Sequence, residues 1–122
     1  MTSMQYYFDD WVLGVFEDDP LPFEVNYILF ILDKKGDYYN LEFSGHQYID
    51  KSINSSGFFY PLEAQSFFCK EFFGLKISNQ KIFKLTKTLI CNFLKLPQAQ
   101  FLSKTQIGLC FRYKNAVFLK QL

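Results

Sequence analysis

The segment Glu24–Leu32 constrains the fold more than any other stretch of the chain. In an extended conformation Val25, Tyr27, Leu29 and Ile31 fall on one side, while Ile28, Phe30 and Leu32 make the other side apolar too. Such a strand belongs in the interior of a sheet that is covered, at least in part, on both faces. Asp33-Lys34-Lys35-Gly36-Asp37 follows as a turn, with Gly36 free to take left-handed backbone. Tyr38–Phe43 returns with cleaner alternation, setting Tyr39, Leu41 and Phe43 against Tyr38, Asn40 and Glu42. Upstream, Trp11–Phe16 reads as a short strand stopped by Glu17-Asp18-Asp19-Pro20-Leu21-Pro22, where the prolines exclude a central strand. Together these segments predict an antiparallel meander.

Residues 44–59 read as a connection. Pro61 can open a helix whose apolar positions are Ala64, Phe67, Phe68 and Phe72 and whose stop is Gly74. Glu63 lies where a negative charge complements the helix dipole. A second helix is predicted over Ser78–Leu94, with the stripe Ile82, Leu85, Leu89, Ile90 and Phe93 facing inward. Pro97 breaks it, and a short helix follows around Ala99–Ser103. Ile107–Tyr113 alternates as a strand, and Lys114-Asn115 turns the chain into Ala116–Leu119. Strands, then two or three helices, then strands make this an α+β chain: an N-terminal meander and a C-terminal hairpin in one antiparallel sheet, packed with the helices. A length of 122 residues suits a single domain, 1–122.

Hydrophobic residues at 49% and charged residues at 20% are the proportions of a folded globule. The load of 16 Phe, 8 Tyr and 1 Trp is heavy, and each buried ring removes roughly 150–250 Å² from water. Aromatics left outside such a small core favour an interaction surface, although a genome poor in G and C enriches Phe, Tyr, Ile, Asn and Lys by itself. Cys69, Cys91 and Cys110 are odd in number and widely spaced, which reads as free thiols in a reducing cytoplasm. The acidic, polar start lacks the order of a signal peptide, and Tyr27–Leu32 is too short to cross a bilayer.

A net charge of +1 conceals a sharp asymmetry. Residues 1–33 carry seven acids (Asp9, Asp10, Glu17, Asp18, Asp19, Glu24, Asp33) and no Lys or Arg; after Glu71 there are nine cations and no acid. In one reading the two halves fold together and neutralise locally. In another, the acidic N-terminal edge meets a basic protein, speeding encounter and rejecting wrong partners. In a third, Lys81, Lys84 and Lys95 on the second helix track nucleic-acid phosphates. Arg112 is the lone Arg, so binding of that kind would be nonspecific. The aromatic sheet signature of an RNA-recognition motif is missing as well. The acidic edge ranks above the lysine helix.

Catalytic patterns are absent. His46 is the single histidine, which excludes a two-His metal site; Cys/His zinc spacing, G-x-S-x-G and G-x-x-x-x-G-K-[ST] do not occur. No catalytic residue, metal ligand or cofactor is therefore assigned. His46 with Cys69 as a nucleophile–base pair, paired carboxylates at Asp9-Asp10 or Asp18-Asp19, and a small ribonuclease-like site built on His46 with a Lys and a Tyr remain minor alternatives.

The aromatic-rich strand Val25-Asn26-Tyr27-Ile28-Leu29-Phe30, the acidic first third and the missing catalytic set together give a chain that resembles small bacterial immunity proteins, those of contact-dependent growth-inhibition systems in particular. The likeness is one of overall character and carries over no motif. It implies a cytoplasmic protein that binds a basic, nuclease-type toxin stoichiometrically and occludes it. On that reading Asp9, Asp10, Asp18, Asp19 and Glu24 steer and rim the contact, and Trp11, Tyr6 and Tyr7 are the aromatic anchors.

Overall fold

The computed structural model describes residues 2–47, 66, 67, 69, 72 and 76–120. Two strands, β1 (Tyr27–Lys35) and β2 (Tyr38–His46), form a hairpin closed by Gly36, whose φ of 64° is the left-handed turn anticipated for it. Two more, β3 (Gln106–Phe111) and β4 (Val117–Lys120), form the C-terminal hairpin. All four join in one sheet of order β2-β1-β3-β4. The β1–β2 and β3–β4 pairs are antiparallel, whereas β1 and β3 run parallel. The fold is α+β with a mostly antiparallel sheet. The parallel pair departs from the antiparallel sheet read from the sequence, because the chain passes through a helix between β1 and β3.

That helix is α2 (Asn79–Leu94). Ser78 caps it, accepting a hydrogen bond from the Lys81 amide at 3.2 Å. Its buried residues Ile82, Leu89, Ile90 and Phe93 are four of the five positions of the predicted stripe; Leu85 is half-buried. Leu96 and Pro97 end the run and start a short 3-10 helix, Pro97–Leu102.

The N-terminus differs from its prediction. Residues Thr2–Asp18 are one helix, α1, so the strand expected at Trp11–Phe16 does not exist. Met4, Phe8, Val12, Val15 and Phe16 are all buried, a spacing of three and four that fits a period of about 3.6 residues. Viewed alone, Trp11–Phe16 is β-branched and aromatic enough to pass as a strand; the helical period emerges only when Met4 and Phe8 join the window. Intrinsic preference lost to amphipathic burial. The meander is thus a two-stranded hairpin with a helix before it. The helix expected from Pro61 to Gly74 lies largely outside the described residues, of which Phe67 and Phe72 are buried.

Both helices cover one face of the sheet. Ile28, Phe30 and Leu32 of β1, Tyr39, Leu41 and Phe43 of β2, and Ile107 and Leu109 of β3 meet Phe8, Val12 and Phe16 of α1 and Ile82, Ile90 and Phe93 of α2 in the main core. The opposite face carries a smaller apolar cluster of Tyr27, Leu29, Ile31 and Cys110, with Ala116 and Phe118 packed on it. β1 contributes to both cores, as its two apolar sides require. Gly108 faces Tyr27 across the β1–β3 boundary, and a Cβ there would lie 2.6 Å from the Tyr27 Oη. Tyr27 is fully buried, so its ring would have to shift within a packed interior. Gly108→Ala should therefore destabilise the protein by roughly 1–3 kcal/mol, read as a lower urea midpoint at unchanged slope.

Candidate functional site

The exposed side of α1 collects chemistry that the fold itself does not use. With the apolar stripe turned inward, Tyr6, Tyr7, Asp10, Glu17 and Asp18 form an outward ridge along the helix, with Tyr6 65% and Tyr7 47% exposed. The two tyrosine rings meet edge to face at 5.6 Å. Gly14 sits on the same ridge, and a Cβ there would touch nothing within 4 Å. Internal packing therefore does not require glycine at that position, where it weakens the helix by roughly 0.5–1 kcal/mol relative to alanine.

Electrostatics on the ridge are equally uncompensated. Helix α1 holds Asp9, Asp10, Glu17 and Asp18 and no cation. Glu17 and Asp18 occupy its last turn, where the partial negative charge of the helix end repels carboxylates. Among the described residues neither forms an ion pair; those that occur are Lys35 and Arg112 with Asp33, and Arg112 with Glu42.

The predicted partner-binding residues divide by position. Tyr6, Tyr7, Asp10 and Asp18 come together on the ridge. Asp19, half-buried, follows the end of the helix, and half-buried Glu24 lies in the loop beyond it. Asp9 stands on the flank facing α2: the Gln5 side-chain amide donates to its Oδ1 at 2.8 Å and to the Leu89 carbonyl at 3.1 Å, and Asn92 donates to Gln5 at 3.3 Å. Trp11, expected as an aromatic anchor, is only half-buried but turns its ring against the core rather than onto the ridge. Its ring packs on Phe43 and Phe67, both at 5.4 Å, and its buried Nε1 has no hydrogen-bond partner among the described residues. One residue beyond Asp10, a side chain has turned off the ridge toward the sheet. Phe23 was missed: it is 90% exposed at the tip of a turn closed by Val25 N–H donating to the Pro22 carbonyl. An aromatic directly after Pro22, in a loop already interrupted by Pro20, was the signal available for it.

Lys81, Lys84 and Lys95 are exposed along α2, on the side away from its buried stripe. The histidine is placed differently. His46 ends β2 opposite Tyr27, nearly buried, with its Nε2 2.7 Å from Ser44 Oγ and its ring 5.8 Å from that of Tyr27. Cys69 is buried in the helix-side core, so the structure puts it on the other face of the sheet from His46. Cys110 lies in the far-face cluster, where burial pushes its thiol up to about 11 against the pull of Arg112. That thiol stays protonated at neutral pH.

Among the described residues no group of three or more His, Cys, Asp or Glu is arranged to hold a metal, and no helix is long and apolar enough to cross a membrane. Comparison with protein families, curated proteins and solved structures finds no match to this chain.

Burial raises the Asp9 carboxyl above its ordinary value, and the Gln5 hydrogen bond offsets part of that rise. A proton held more tightly in the folded than in the unfolded chain stabilises the fold at acid pH. The benefit is lost as pH rises from the unfolded value through the folded one, leaving a cost at neutral pH. Asp9→Asn keeps an acceptor oxygen for Gln5 and removes the charge. It should raise the thermal midpoint at neutral pH and leave it unchanged well below the carboxylate range; equal effects at both would show that the charge is not the cause.

Proposed function

We propose that the protein binds a basic protein partner through the α1 ridge, and that it works as an immunity protein that occludes a nuclease-type toxin. The observation that carries the binding reading is the set of carboxylates on α1 with no cation paired to them among the described residues. Asp10, Glu17 and Asp18 repel one another and, at the helix end, the helix dipole. A cationic surface would remove that repulsion on docking, so the cost borne by the free protein becomes a gain in the complex. Tyr6 and Tyr7 supply large, rigid contact area beside the charges, and Gly14 lets a partner backbone approach the helix closely. The immunity assignment rests further on the overall character described above.

Reversal of Asp10, Glu17 and Asp18 to Lys should slow association with a cognate basic toxin domain by about ten- to a thousandfold at low salt and flatten its salt dependence. Protection of cells from that toxin should fall in step. Stopped-flow rates that do not change across the series would remove the ridge from the account.

A second reading has one observation in its favour: Lys81 and Lys84 are exposed on α2, and Lys95, its C-cap, is exposed too. If that face binds nucleic acid, Lys81→Glu with Lys84→Glu should abolish retention on a heparin column. Elution of the double variant at undiminished salt would eliminate it.

A further inference from the structure

The C-terminal half of α1 borders a groove of about 630 Å³ lined by Leu13, Phe16, Glu17, Pro20, Leu21 and Phe101. Its walls come from three places. Leu13 and Phe16 lie on the flank of α1 next to the ridge, Pro20 and Leu21 come from the following loop, and Phe101 comes from the 3-10 helix. Phe16 and Phe101 meet edge to face at 4.8 Å, which holds the far wall upright. Phe101 nonetheless remains 42% exposed, and Phe23, two residues beyond Leu21, is 90% exposed.

Charge marks what this groove is shaped to take. Five of the six lining residues are apolar, the sixth is Glu17, and none is a cation. Exposed Asp18 adjoins Glu17 in the chain, and Asp10 lies on the ridge above. An apolar slot whose one charged lining residue is an acid, with a second acid next to it in the chain, disfavours an acidic segment and attracts a basic one while burying whatever apolar side chain that segment presents. We infer that the groove receives an aromatic side chain flanked by Lys or Arg on the surface of a basic protein. It is the desolvated anchor point of the interface, as the ridge is its steering edge. This inference rests on the acidic-ridge reading above and adds to it the site and the side-chain class.

The test needs no identified partner. The full-length, isotope-labelled chain is titrated in NMR with three capped pentapeptides: Lys-Lys-Trp-Lys-Lys, Lys-Lys-Ser-Lys-Lys and Glu-Glu-Trp-Glu-Glu. The first should shift the Leu13, Leu21 and Phe101 signals and bind at least about tenfold more tightly than the second, given the area of a buried indole. The third should leave those signals in place. Leu21→Ser and Phe101→Ala should each weaken the first peptide about fivefold or more. Leu21 lies in a loop, so its variant keeps the test decisive if loss of Phe101 perturbs folding.

Shifts confined to the Tyr6, Tyr7 and Asp10 signals, equal for both lysine peptides, would overturn the groove and leave the ridge standing. Equal binding of the acidic peptide, or no shift with any probe, would overturn the groove. The lysine peptides' failure to shift the ridge signals as well would count against both.

Discussion

Six consecutive residues of β1, Tyr27–Leu32, are buried, and they point alternately to opposite faces of the sheet. No single layer of helices can cover both faces of one strand, so the burial of β1 dictates two cores on either side of it. The larger holds α1 and α2 against Ile28, Phe30 and Leu32; the smaller gathers Cys110 and Phe118 around Tyr27, Leu29 and Ile31. Neighbours on both edges follow as well. β2 pairs with β1 over all nine of its residues, and β3 pairs in parallel over six. Tight packing on the smaller side leaves space only for glycine at Gly108, beneath the Tyr27 ring.

At one end of the smaller core the apolar surface gives way to charge. Arg112, just beyond β3, donates to Asp33 of β1 at 2.9 Å and reaches across that strand to Glu42 of β2. Three strands are thereby tied by one guanidinium. Burial alone would lower the Arg112 pKa, but the two carboxylates outweigh it and raise it instead. The planar fork suits this role, since one side chain addresses two acids in different directions. These charges are satisfied within the fold. On α1, by contrast, Asp10, Glu17 and Asp18 form no ion pair among the described residues.

The helical layer has a polarity of its own. Acidic α1 and basic α2 lie side by side, yet the side-chain hydrogen bonds that join them run through neutral Gln5 to the Leu89 carbonyl and to Asn92. Asp9 apart, the carboxylates of α1 are exposed, as are Lys81, Lys84 and Lys87 of α2. A net charge of +1 is therefore the sum of two strongly charged surfaces rather than the mark of a neutral one. Local neutralisation of the two halves, the simplest fate for such a sequence, does not occur between these helices among the described residues.

How much of this was legible follows from the range of each signal. The β1–β2 hairpin, α2, the break at Pro97 and the C-terminal hairpin all rest on local periodicity and turn chemistry, and they could be read from the stretches around Tyr27, Gly36, Ile82 and Pro97. The helix at the N-terminus was read as a strand because Val12, Val15 and Phe16 have strand-like side chains. Their helical phase becomes apparent only with Met4 and Phe8, and what decides it is a sheet for that stripe to bury against. The carboxylates and tyrosines of the candidate site were likewise visible as residues, but which of them share a surface was not. By itself the sequence determined the two-sided strand, the segregated charge and the absence of catalytic patterns, since these are properties of composition and spacing. Tertiary structure alone decided that Trp11 packs against the core, that Asp9 is committed to Gln5, and that Phe101, more than 80 residues from Leu13 and Phe16, completes a groove beside Glu17. Side-chain direction depends on helix phase, and contact over that distance depends on how the layers pack; neither is written in any local stretch of chain.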